Sequence, residues 1–354
     1  MSANVSNLTE LKNNKKRQAS LSRQDENCGK KPKLTIRCVD NQKPLPDDAN
    51  KENGGELCEA FAFSDYYPQL ILAKNLNTKK CEKNPKHTEF VPIKDFSHRK
   101  LPHPYNKDDM FDKLVAALGK LVVKITYEGT SPNRPMEYKK FKGNFVGSGN
   151  IIFSKTRERS LFSRCPCRDC RKDPVEEWGE IKIRTAAHVV CDDDEASRAE
   201  CLMYYDSENS DVIKLQGIRV SQMNRQYDTA EIICVTHDVN LAYQLMYMIY
   251  DYKDYHTKLY KRYLTEGVNN LVILISHPHG CSKHVTFGKK KQCKVLEKLR
   301  SDIYVTKYYY DSHACPGSSG APVYMLSKES IWISPPHSVA YGKGGQSGAV
   351  WENF

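Results

Sequence analysis

Cys315-Pro316-Gly317-Ser318-Ser319-Gly320-Ala321-Pro322-Val323 has the form of a loop built to present a serine. Glycines on both sides of Ser319 let the backbone turn sharply and aim two N–H groups at one point, the arrangement an oxyanion hole requires. Such residues also make ordinary turns, so the stretch takes its meaning from two others upstream. Ile183-Arg184-Thr185-Ala186-Ala187-His188-Val189-Val190 carries a β-prone run into a histidine preceded by small residues, which let backbone and a nucleophile approach the ring. Tyr227-Asp228-Thr229-Ala230-Glu231-Ile232-Ile233 sets an acid at the head of a second β-prone run. A carboxylate there can bind one imidazole nitrogen and fix the tautomer whose other nitrogen accepts the serine proton. The chain order His, Asp, Ser belongs to one of the known solutions to this constellation.

These stretches resemble the chymotrypsin-like (trypsin-fold) serine peptidases. The family's Thr-Ala-Ala-His is intact at 185–188, and its Asp-x-Ala-x-Leu/Ile is matched by Asp228, Ala230 and Ile232. Its Gly-Asp-Ser-Gly-Gly-Pro is matched as Gly317-Ser318-Ser319-Gly320-Ala321-Pro322. The resemblance covers roughly 115–350, about two-thirds of the chain. It implies an all-β fold of two six-stranded antiparallel β-barrels with a serine endopeptidase site in the cleft between them. In that site Ser319 would be the nucleophile, His188 the general base and Asp228 the orienting acid. The N–H groups of Gly317 and Ser319 would form the oxyanion hole, with no cofactor needed for the chemistry and a protein or peptide as substrate.

Two departures from the family agree with each other. Ser318 replaces the aspartate before the nucleophile, and no Arg-Ile-Val-Gly-Gly-like cleavage site exists to release a new N-terminus for it. The Pro-Gly-Ser-Ser-Gly-x-Pro-Val form is similar to that of bacterial glutamyl peptidases and intracellular trypsin-like proteases. By the same resemblance His313 lies at the base of the primary specificity pocket and His337-Ser338 in its wall. Imidazole donors facing a carboxylate would favour Glu or Asp on the acyl side of the cut bond. A pocket for Arg or Lys would want an acid at its base, and none is there. The competing readings are a catalytically silent binding protein on the same fold and a nucleic-acid-associated protein using its basic arm.

The 354 residues carry a net charge of +11 and thirteen cysteines. Met1–Asn7 leads into basic residues without an apolar run, and no segment is apolar enough to span a bilayer, so the expectation is an intracellular protein with reduced thiols. Lys15-Lys16-Arg17 followed by Lys30-Lys31-Pro32-Lys33 resembles a bipartite nuclear-import signal, placing the protein in cytoplasm, nucleus or both. Residues 1–105, rich in Lys, Asn, Asp, Glu and Pro, read as a largely disordered arm with short apolar islands, the largest from Phe61 to Leu72. The folded domain is then 106–354: a first barrel over about 120–237, a helical connector over 239–265, and a second barrel over about 268–354.

Within that domain, Met110, Phe111, Leu114, Val115 and Leu118 fall at helical spacing, capped by Asp108 or Asp109 and stopped by Gly119. Leu121–Tyr127 is the expected first strand, residues 154–180 an inserted loop, and Lys289-Lys290-Lys291 a solvated hairpin tip, with phosphate contact as its other use. The connector carries a stripe of Leu241, Leu245, Met248, Ile249, Tyr252, Leu259 and Tyr263, which predicts a helix lying on a barrel. Cys165-Pro166-Cys167-Arg168-Asp169-Cys170 offers three thiolates to one structural zinc, with a fourth ligand among Cys191, Cys201, His277, His279 and Cys281. The alternative is a reduced, solvent-facing cysteine loop.

Overall fold

Runs of alternating polarity punctuated by glycine turns become strands in the computed structural model. It describes residues 61–63, 81, 83–135, 144–160, 163–300, 303–327, 334–341, 344–348 and 350–353. Two short strands come first, β1 (Phe61–Phe63) and β2 (Val91–Pro92). Helix α1 (Met110–Leu121) leads into β3 (Val122–Glu128), β4 (Asn144–Glu158) and β5 (Glu177–Thr185). After the short helix α2 (Asp193–Arg198) come β6 (Glu200–Met203), β7 (Ile213–Asn224) and β8 (Thr229–Thr236). These six strands form a closed antiparallel ring in the order β3-β4-β5-β8-β7-β6, with β6 pairing back onto β3 and β1 added at the edge of β4.

Helix α3 (Val239–Thr265) connects to the second ring. That ring contains β9 (Leu271–Ser276), β10 (His284–Lys298), β11 (Ile303–Tyr310), β12 (Val323–Met325), β13 (His337–Tyr341), β14 (Gly344–Ser347) and β15 (Val350–Asn353). The order is β12-β9-β10-β11-β14-β13, with β15 continuing along β11 after β14. A bridge between Pro322 and Pro336 and hydrogen bonds from Gly320 N to His337 O (2.7 Å) and Val323 N to Pro335 O (3.0 Å) close β13 onto β12. The molecule is therefore an all-β, two-barrel protein, with six positions around each ring and one extra strand on each from upstream residues.

Every residue of β9 is buried, which is why Leu271–Ser276 shows no polar alternation. Its Leu271, Ile273 and Ile275 join the large core shared with the helices, while Val272 and Leu274 face Tyr308, Tyr310, Val323 and Met325 of the second ring. Leu241, Leu245, Ile249, Tyr252, Leu259 and Tyr263 form the buried stripe of α3, which packs on α1 and β4.

Several expectations need correction. Residues 84–105, expected in the disordered arm, pack on the barrels: β2 pairs with β10, and Phe90, Leu101 and Tyr105 are buried. Except for β1, Cys81 and Lys83, the rest of the arm, including the import-like signal, lies outside the described residues. Gly119 is inside α1 rather than its stop, because a Cβ there would overlap Ile93 of the upstream segment. Asp108 Oδ1 accepts from Met110 N (3.1 Å) at the helix start. The insertion spans 159–176, shorter than expected, because β4 and β5 run out into it as a long hairpin. Lys289–Lys291 lies within β10, where Lys291 pairs with Asp311 at 2.6 Å, and is not a hairpin tip.

Candidate active site

Three loops meet where the two rings face each other. His188 follows the end of β5 in a tight turn, with Val189 N donating to Ala186 O (3.0 Å) and both preceding alanines fully buried. A buried ion pair holds this turn from behind. Arg134 Nη1 donates to Glu195 Oε1 (2.7 Å) and Nη2 to the His188 carbonyl. Glu195 also accepts from Cys191 N (2.9 Å), Ser131 N (3.2 Å) and Tyr127 OH (3.2 Å). Both side chains are fully buried, so each charge depends on this full set of partners.

Asp228 ends a turn in which its N–H donates to Arg225 O (3.2 Å), and its φ of +53 lies in the left-handed region. Such strain in a non-glycine residue persists only when the surroundings over-determine it. Here they do. Asp228 Oδ2 takes the ring Nδ1 of His188 at 2.8 Å, Oδ1 accepts the His188 backbone N–H at 3.0 Å, and the Ser338 hydroxyl donates to Oδ2. Burial pushes the Asp228 carboxyl up, but the His188 ring, the Ser338 hydroxyl and the His188 N–H outweigh it and hold the pKa at about 2. An ionised carboxylate only accepts. Nδ1 therefore carries the proton, and Nε2 is the basic nitrogen of His188.

Ser319 is fully buried in a loop shaped by Gly317 (φ +92) and Gly320 (φ +85). Ser318 N donates to Cys315 O (2.9 Å) and Ala321 N to Ser318 O (3.0 Å). Among the described residues neither Gly317 N–H nor Ser319 N–H donates a hydrogen bond within the protein. The loop is tied to the first ring by Ser148, whose hydroxyl donates to Gly317 O (2.8 Å) and whose N–H donates to Ser319 O (2.7 Å). Gly320 must be glycine twice over, since a Cβ would strain its backbone and overlap Thr185 and Ser148.

Ser338 joins the three. Its hydroxyl is on Asp228, and its carbonyl lies 3.5 Å from Ser319 Oγ, at the outer limit of hydrogen-bond reach. The sequence expectation of a pocket-wall residue missed the contact with Asp228. His337 is fully buried, with Nδ1 at 2.6 Å from Tyr310 OH. His313 is half-buried and anchored by its carbonyl, which accepts from Thr286 Oγ1 (2.7 Å). Ser318, standing where the family has an acid, is buried with its hydroxyl 3.0 Å from Ser276 Oγ, a neutral pair that needs no counter-charge.

The cysteines of the insertion are buried, which overturns the solvent-facing alternative. Cys165, Cys167 and Cys170 converge on a residue absent from the expected ligand set, His237, whose Nε2 lies 3.5, 3.4 and 3.3 Å from their sulfurs. A tetrahedral zinc with ordinary Zn–S and Zn–N bonds separates S from N by about 3.5 Å. The register would have pointed to His237: Gly179 of β5 pairs with Thr236, the last residue of β8, so the residue after it is beside the insertion. Of the other expected ligands, Cys191 donates its N–H to Glu195 and Cys201 lies 3.9 Å from Cys234 in the core. His277 Nδ1 lies 2.9 Å from Cys281 O, and His279 faces His87. No signal in the sequence marked Arg134 or Glu195. Among the described residues ten cysteines form no disulfide, and no helix is long and apolar enough to cross a membrane.

No family profile and no curated protein matches the chain. Among solved structures it is similar to the active form of the Rv3671c protease from M. tuberculosis, at 14% identity and a TM-score of 0.37, covering 66% of this chain and 78% of that one.

Proposed function

We propose that this protein is a serine endopeptidase of the chymotrypsin-like type. The contact of His188 with Asp228, in the one tautomer that leaves Nε2 basic, carries the reading. His188 Nε2 takes the proton of Ser319 as its Oγ attacks the scissile carbonyl, and the ring charge that forms is balanced by Asp228, which stays ionised. The oxyanion is held by the N–H groups of Gly317 and Ser319. His188 then protonates the leaving amine, and water, activated by the same ring, hydrolyses the acyl-enzyme.

Acidic side chains are the proposed preference on the acyl side, with His337 and His313 as donors. The tyrosine hydroxyl on His337 Nδ1 supports this, because it fixes the orientation of a buried imidazole. A zinc ion on Cys165, Cys167, Cys170 and His237 is structural in this reading and takes no part in hydrolysis.

The test is a fluorophosphonate probe on the full chain, with Ser319→Ala beside it. Labelling of the wild type alone is the expected result. Equal absence of label on both would favour a silent binding protein. Given labelling, a peptide library should show Glu or Asp cleaved ahead of Arg by tenfold or more, on the order of what one buried polar contact discriminates.

A further inference from the structure

A second cluster lies beside the nucleophile loop, and the peptidase chemistry does not use it. Cys81, His87, His279 and Cys315 each direct one ligand atom to a common point, with those atoms all within 4.8 Å of one another. The edges have the lengths of a tetrahedral metal site. Cys81 Sγ and Cys315 Sγ are 3.7 Å apart, against about 3.8 Å for two thiolates on one zinc and about 2 Å for a disulfide. His87 Nε2 and His279 Nε2 are 3.2 Å apart, against about 3.3 Å for two imidazoles on zinc. His87 Nε2 lies 3.2 Å from Cys315 Sγ, somewhat inside the mixed edge of about 3.5 Å.

Two independent features point the same way. Five described non-glycine residues have positive φ, and His87 (φ +49) and His279 (φ +52) are among them, with Lys86 (φ +63) beside the first. Both histidines are thus held in strained backbone with their rings meeting. The sulfurs also have the donors a thiolate needs. Asn84 Nδ2 donates to Cys315 Sγ (3.1 Å) and Asn84 N to Cys81 Sγ (3.4 Å). Such outer hydrogen bonds orient metal-bound thiolates and spread their charge.

We propose that Cys81, His87, His279 and Cys315 bind one zinc ion that fastens the upstream segment to the nucleophile loop. Two sulfurs and two imidazoles in a tetrahedron suit zinc over the hard cations. The ion joins three separate pieces of chain: the upstream segment through Cys81 and His87, the His277–Gly280 turn and Cys315. The last two carry the nucleophile loop. His279 N donates to Pro316 O (2.5 Å), Cys315 N to Ser318 Oγ (3.3 Å), and a Cβ at Gly317 would press on the carbonyl of His277 at 2.5 Å. Zinc therefore fixes the loop that supplies the oxyanion donors, in a chain where Ser318 forms no salt bridge to do so. This second consequence rests on the peptidase reading; the metal site does not.

The experiment counts metal on the full chain. Cadmium-loaded wild type should give two ¹¹³Cd resonances, one for three sulfurs with one nitrogen and one for two sulfurs with two. Cys81→Ser should lose only the second, and Cys167→Ser only the first. Asn84→Ala keeps all four ligands and should weaken the second site about 10- to 100-fold. A single resonance in the wild type, lost with Cys167→Ser, would overturn the proposal, as would a Cys81–Cys315 disulfide with one metal bound. Should Cys81→Ser fail to fold, the wild-type spectrum decides alone. Stripping the second metal should lower Ser319 labelling about tenfold or more. Two metals with labelling indifferent to the second would retain the site and overturn its hold on the loop, and two metals with no labelling at all would count against the peptidase reading instead.

Discussion

Asp228 shows how much one carboxylate settles. Its three donors make it an acceptor throughout the physiological range, and that acceptance decides which nitrogen of His188 is basic. Asp228→Asn keeps the shape but offers a donor where Nδ1–H now donates, so the ring turns to the tautomer that cannot take the serine proton. Labelling of Ser319 should fall by up to about 10⁴-fold with little change in fold. The pH dependence has a definite sign. A pKa of about 2 in the folded protein is below that of an unfolded aspartate. Asp228 therefore contributes about 2 kcal/mol, fully present above about pH 4 and lost as the pH falls through about 2. Urea unfolding of wild type and Asp228→Asn should differ by that amount at pH 5 and converge near pH 2; a gap that persists unchanged at pH 2 would contradict the assignment. Behind His188, Glu195→Ala leaves Arg134 buried without its carboxylate and should cost about 3–5 kcal/mol. Thermal unfolding reads that loss directly. The meeting of His188 with Asp228 and the tight turn around Ser319 were legible in sequence because small residues and glycine must surround groups packed so closely. Arg134 and Glu195 were not, because a buried ion pair is specified by packing across sixty residues of chain and leaves no local pattern.

At the scale of elements, legibility followed periodicity. The α1 and α3 stripes repeat at helical spacing over several turns, and both helices appear where the stripes place them. Boundaries erred where tertiary contact overrode local chemistry. Gly119 has the composition of a stop, yet it is in the last turns of α1, where its missing Cβ admits Ile93 and its carbonyl accepts from Lys283 Nζ at 2.6 Å. That buried ammonium lies on the C-terminal end of the helix dipole, where a cation is favoured. The same logic applies to Gly217 in β7, whose N–H donates to Ala199 O at 2.9 Å. A Cβ there would overlap the carbonyl of Ala196 in α2, which is backbone and cannot turn aside. Gly217→Ala should therefore cost about 1–3 kcal/mol by forcing α2 away from the ring. Because α2 carries Glu195, it should also slow Ser319 labelling; a variant of wild-type Tm would show that α2 can slide without loss.

Across the whole molecule, composition misjudged the upstream segment. Its lysines and prolines suggest a chain too polar to fold, and by itself it is. What it lacks in apolar surface it finds in the fold: Phe90 is buried edge-on to His87 beside the β2–β10 pair, and Leu101 and Tyr105 lie in the core shared by α1 and α3, where Tyr105 meets Phe111 and Tyr263 with ring centroids 5.8 and 5.1 Å away. A sequence scan scores such a segment in isolation, whereas its burial depends on surface offered by residues two hundred positions away. Tyr105 OH donates to Asn270 Oδ1 at 3.2 Å, at the entry to β9, so the segment also spans the junction between the rings. The consequence is a sharp boundary for truncation. Phe90, Leu101 and Tyr105 each contribute about 1.5–3 kcal/mol through burial, a sum comparable with the 5–15 kcal/mol that holds a whole domain together. A chain beginning at residue 81 should keep cooperative unfolding and labelling of Ser319. One beginning at residue 106, the boundary composition suggests, should lose both, exposing the Phe111 and Tyr263 faces to solvent and leaving β10 at Val285 with β9 as its one strand partner among the described residues. If the shorter chain unfolds at the same temperature as the longer one, these contacts contribute nothing and the domain begins at α1.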